Sequence, residues 1–130
     1  MFEEVEQIIE TIMQNSWHDT PVYFDNVLLK QSMETPYVTC KIDWLDAYGA
    51  GPMRTRNDGY ILLEVFVPQN IGSRLATKLI DKLNDIFKSS GTGNLHFKPG
   101  QPQRIGNNNG WYQRNLNVPF YFDYCKEVLP

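Results

Sequence analysis

Hydrophobic and polar positions divide this chain into segments of two periods. Over residues 2–15, Phe2, Val5, Ile8, Ile9, Ile12 and Met13 recur every three, four or seven positions. That spacing predicts an amphipathic helix. Glu3, Glu4, Glu6, Gln7, Glu10 and Gln14 fill its other face, and early carboxylates suit the positive end of the helix dipole. Asp19 and Pro21 follow in a turn, and 22–24 is a short candidate strand. From Tyr37 to Leu45 the period changes to two: Val38, Cys40, Ile42 and Trp44 point one way, Thr39, Lys41 and Asp43 the other.

Gly59–Val67 is the strongest strand pattern. Ile61, Leu63, Val65 and Val67 form an aliphatic face, while Tyr60, Leu62, Glu64 and Phe66 form a mixed one that is free to meet water or a partner. Residues 71–88 return to helical spacing through Ile71, Leu75, Leu79, Ile80, Leu83, Ile86 and Phe87, with Asn70 or Ser73 as the expected cap and Gly91 as the expected stop. Leu95–Lys98 is a short strand. Trp111–Phe122 is the last one, with Tyr112, Arg114, Leu116, Val118, Phe120 and Phe122 on one face and Trp111, Gln113, Asn115 and Asn117 on the other. Pro119 implies an edge or a bulge there. Two stretches, Asp46–Asp58 and Pro99–Gly110, read as long loops from their Gly, Pro and Asn content, and long loops in a compact domain are often functional. One mainly antiparallel sheet with two helices packed on one face accommodates this order, an α+β single domain over 1–130.

Composition changes this picture in one respect. At 130 residues and 42% hydrophobic content the chain has the material for one core, and a net charge of −3 gives no polybasic footprint for nucleic acid or membrane. However, three Trp, seven Tyr and seven Phe are many rings for so small an interior, and surface Trp and Tyr mark protein interfaces. Tyr48, Met53, Arg54 and Arg56 in the first long loop, and Trp111, Gln113 and Asn115 on the last strand, are therefore the candidate protein-interface residues. The acidic, amphipathic N-terminus is not a secretory signal, and no apolar run reaches membrane-spanning length. With only Cys40 and Cys125, the expectation is an intracellular, soluble protein with reduced thiols.

Candidate chemistry is sparse. His18 and His96 are the available imidazole bases, and neither adjoins a motif that presents a nucleophile. Metal-ligand spacings such as Cys-x-x-Cys are absent from the sequence. Gly91-Thr92-Gly93 leads out of a helix rather than into one, the wrong polarity for a phosphate loop. Asp43, Asp46, Asp58 and Glu64 are acids without a spacing that predicts convergence. No catalytic residue, cofactor or metal is expected.

The second half of the chain carries a resemblance. Glu64-Val65-Phe66-Val67-Pro68 is followed by Gly72-Ser73-Arg74 opening a helix, then by Gly110-Trp111-Tyr112-Gln113 and Leu116-Asn117-Val118-Pro119-Phe120. Over about residues 60–122 this resembles the small tail-terminator and tail-completion proteins of long-tailed bacteriophages. The resemblance implies an antiparallel sheet with two helices on one face. It also implies a hexameric ring that caps the tail tube, ends its polymerisation and meets the neck or head-completion protein. DNA then passes through as cargo, in a virion protein assembled in the host cytoplasm. Other neck or minor tail proteins share parts of this pattern. A different class of reading is a small aromatic-rich binding module for single-stranded nucleic acid or carbohydrate.

Overall fold

A computed structural model describes residues 1–25, 35–49 and 54–125. The elements are α1 (Phe2–Ser16), β1 (Val22–Phe24), β2 (Tyr37–Gly49), β3 (Arg54–Pro68), α2 (Ser73–Lys88), β4 (Leu95–Phe97), β5 (Gln101–Asn108) and β6 (Trp111–Cys125). They form an α+β domain: a six-stranded sheet in the order β1-β2-β3-β6-β4, with β5 also pairing β6. β1 runs parallel to β2; the other pairings are antiparallel.

The core lies between the helices and one face of the sheet. Val5, Ile9 and Met13 of α1 and Ala76, Leu79, Ile80, Leu83 and Phe87 of α2 are buried together with Val38, Cys40, Ile61, Leu63, Val65, Val67, Leu116, Val118 and Phe120. The strand residues among these are the inward positions predicted by the period-two patterns; of the two helical stripes, Phe2 and Ile71 instead remain about half exposed, Ile71 because α2 starts only at Ser73. Burial of each Leu, Ile or Phe in such a layer is worth about 1.5–3 kcal/mol relative to exposure. Trp44 packs edge-on against Phe120 at 5.2 Å and donates through Nε1 to Glu6 Oε2 at 3.0 Å. That bond seats α1 over β2.

Three expectations are corrected. The two stretches read as loops are largely strand. Asn57 and Asp58 extend β3 because they pair with Phe122 and Tyr121, and β5 forms from 101–108 because β6 offers it an edge. Tertiary pairing overrides the turn-like composition. α2 begins after Gly72, which has φ +98°, with no side-chain cap from Asn70 or Ser73, and it ends at Ser89 rather than through Gly91. Pro119 lies inside the sheet, where β4 has ended and β5 has not begun: Lys98 N donates to its carbonyl at 2.8 Å, and the missing proline N–H falls at that break.

Gly59 is where the sheet tolerates no side chain. A Cβ there would lie 2.6 Å from the Phe120 ring and 2.8 Å from the Asp43 carbonyl oxygen. Gly59→Ala should therefore destabilise the fold by about 1–3 kcal/mol, the usual cost of overpacking. An unchanged midpoint in urea denaturation would contradict this packing.

Candidate functional site

The face of the sheet opposite the helices holds most of the sequence-singled residues, in two regions. At one end, β2, β3 and β6 run on side by side as a three-stranded ribbon. A register shift between Trp44 and Ala47 turns Leu45 outward, 64% exposed. Tyr48, paired with Arg56, is 48% exposed. Arg54 is also exposed. Met53 lies outside the described residues. Arg56, expected in a loop, stands on β3. It is held by Asp123, Nε to Oδ1 at 2.7 Å and Nη2 to Oδ2 at 2.9 Å, with its guanidinium 4.3 Å from the centroid of the Tyr121 ring. Tyr121 stacks in turn on His96 at 4.8 Å, and Lys98 stands 5.9 Å from the same ring. A bidentate arginine–carboxylate pair fixes orientation as well as charge, and an arginine over an aromatic face adds a cation–π contact.

The titration of this pair follows from its geometry. The hydrogen bonds from Arg56 hold the Asp123 carboxyl below its ordinary value, with smaller help from Arg54 and His96. The bond to Asp123 raises the Arg56 guanidinium above its own.

The other region is built on Glu64. Its Oε1 accepts from Thr39 Oγ1 at 2.8 Å and pairs with Lys41 Nζ at 2.9 Å, while Oε2 accepts from Gln113 Nε2 at 3.3 Å. Gln113 Nε2 also donates to Asn115 Oδ1 at 2.9 Å. The bond to Glu64 raises the Lys41 pKa. Next to this network stands an aromatic cluster: Tyr37 stacks on Phe66 at 4.6 Å and meets Trp111 edge-on at 5.0 Å and Tyr23 at 5.8 Å. Burial, followed by the charge of Glu64 and by Tyr23, raises the Tyr37 pKa.

Trp111, Gln113 and Asn115 are thus corrected as an exposed patch. They are 5%, 6% and 8% exposed. β6 is an interior strand because β5 covers its outer edge, and Tyr37 closes over Trp111. Their part is to hold the sheet face rigid. Glu64, Tyr121, Asp123 and Tyr37 were missed as site residues. The alternation that set Glu64 and Phe66 on the second face was the available signal, but their partners lie on other strands.

The remaining candidates are placed as follows. His18 Nε2 lies 2.9 Å from the Asn15 carbonyl oxygen at the end of α1. The Cys40 thiol is buried and pushed up to about 12, so it carries essentially no thiolate at neutral pH. Among the described residues no helix is long and apolar enough to cross a membrane.

No protein-family model matches the chain, and no curated protein matches it. A solved structure whose printed name states no function matches with a TM-score of 0.67 over 94% of this chain and 98% of that chain, at 16% identity. At that identity the likeness is one of fold.

Two outcomes follow. Because the Asp123 carboxyl is held below its unfolded value, the pair stabilises the fold above that value, and the contribution disappears as pH falls through the lowered Asp123 pKa. Arg56→Ala should lower stability at neutral pH and flatten the decline between neutral and acid pH, read by thermal melts across that range. Glu64→Ala removes the acceptor shared by Thr39, Lys41 and Gln113 and should cost about 1–3 kcal/mol, measured by chemical denaturation; a loss near zero would mean water replaces the carboxylate without penalty.

Proposed function

We propose that this chain is a structural protein of a phage tail. In this reading it forms a ring, hexameric by the resemblance, that caps the tail tube, stops its polymerisation and joins it to the neck. Its role is assembly rather than catalysis. Its partners are further copies of itself, the tube protein and a neck or head-completion protein, with DNA only as cargo, and its place is the virion.

The observation that carries the reading is the ribbon end of the sheet. Leu45, Tyr48 and Arg54 are exposed there, on a base made rigid by Arg56, Asp123 and Tyr121, with half-exposed Tyr124 on the other face of the same strands. Exposed aromatic and aliphatic groups with arginine, mounted on a preorganised frame, make the composition of a protein-contact hot spot. The Glu64–Pro68, Gly110–Gln113 and Leu116–Phe120 segments, which resemble tail-terminator proteins, turn that general contact reading into a specific one. The likeness of fold noted above is compatible with it and carries no function.

A second reading rests on Arg56, His96 and Lys98 gathered about Tyr121: a stacking platform with basic neighbours fits single-stranded nucleic acid. Asp123 already occupies Arg56, which favours the first reading.

Particles assembled without this protein, viewed by electron microscopy, should show over-long tubes or detached heads. Normal virions would overturn the proposal. Oligonucleotide binding by a stable monomer, with a steep salt dependence, would instead support the second reading.

A further inference from the structure

The helix-bearing side of the domain contains an electrostatic arrangement that the single chain leaves uncompensated. Arg104 of β5 and Arg114 of β6 are directly opposed across the ladder, and like charges in that position repel. Arg114 donates through Nη1 to Thr77 Oγ1 at 3.0 Å, yet its Nε is buried with no acceptor. Among the described residues neither arginine has an acidic partner; the ion pairs are Lys41–Glu64, Arg56–Asp123 and Lys82–Asp19. Arg74 and Lys78, exposed on α2, flank Thr77 and enlarge the same basic patch, which includes one acid, Asp81, along its groove.

The same chain carries a counterpart. α1 has Glu3, Glu4, Glu6 and Glu10 and no basic residue, and Glu3 and Glu4 are exposed. The two surfaces lie at opposite lateral sides of one layer. The Trp44–Glu6 bond seats α1 over β2, towards the β1 edge, whereas the Arg114–Thr77 bond seats α2 over β6, towards the β5 edge. Each surface has an apolar neighbour, with Phe2 and Ile71 both about half exposed.

We infer that the basic patch of Arg74, Lys78, Arg104 and Arg114 docks the acidic outer face of α1 of a second copy of this chain. Complementary patches on opposite sides of one protomer make a head-to-tail contact, and such a contact closes into a ring when its rotation allows. The carboxylates supply the counter-charge that Arg104 and Arg114 lack. The inference deepens the ring reading and rests on it. It names which two surfaces join neighbours, and it leaves the ribbon end free for the tube or neck.

The test is charge reversal at exposed positions, which spares Arg114 in its half-buried place. One variant carries Lys78→Glu and Arg104→Glu, the other Glu3→Lys and Glu4→Lys. By sedimentation velocity in dilute salt, each alone should associate at least tenfold more weakly than the wild type. The two mixed in equal amounts should regain assembly, because the reversed surface of each then meets the reversed surface of the other. Added salt should weaken wild-type association, since exposed charges are screened beyond about 8–10 Å at physiological ionic strength. Restoration by mixing also excludes misfolding as the cause of the single losses. Rings that persist in both variants would overturn this contact and leave the ring reading standing. A wild type that stays monomeric both in dilute salt and on tail tubes would overturn both.

Discussion

The pairing of β3 with β6 is the constraint on which the rest depends. It runs without a break in register from Arg54↔Cys125 to Pro68↔Trp111. Because side chains alternate along each strand, this one ladder assigns every residue of both strands to a face. Ile61, Leu63, Val65, Leu116, Val118 and Phe120 go to the helices; Arg56, Glu64, Phe66, Gln113, Tyr121 and Asp123 go to the open side. A slip of one position would exchange the two sets. Gly59 keeps the register at its tightest point, since it alone admits the Phe120 ring beside the Asp43 carbonyl.

The open face is consequently not a plain solvent face. Its middle is a bonded network around Glu64, one end is an aromatic cluster around Tyr37, and the other is the Arg56–Asp123–Tyr121 base of the ribbon. Ordered side chains of this kind leave little rotamer entropy to lose on association. The aromatic excess in the composition is thereby divided. Phe87, Phe97 and Phe120 pack with one another in the core, Tyr37, Phe66 and Trp111 stiffen the open face, and Phe2, Tyr48 and Tyr124 remain as ring surface available for contact.

How much of this was legible in the sequence depended on whether a residue's environment was local. The α+β class, both helices and the inward set Val38, Cys40, Ile61 and Leu116 follow from period alone. Burial of Gln113 and Asn115 does not, because it requires β5, a strand written in Gln, Pro, Gly and Asn that exists only beside β6. The Arg56–Asp123 pair joins positions far apart in the chain, and nothing near either residue announces the other. Tyr48 and Arg54 lie on a ribbon rather than a loop for the same reason: their strand state comes from cross-strand partners. Proposed contacts made by surface charge were equally hidden, since Arg104 and Arg114 meet only through that late hairpin.

The outer edge of β5 has a consequence for assembly as a process. Pro102 removes a main-chain donor from it, and the ladder slips between Arg104 and Gly106. Proline and bulges are the means by which sheets discourage edge-to-edge growth. A neighbour approaching this side therefore finds poor footing for an added strand and must bind through side chains. Such contacts are tunable and reversible, as the closed ring proposed above would require. An open, regular edge would instead invite strand-by-strand growth with no built-in end.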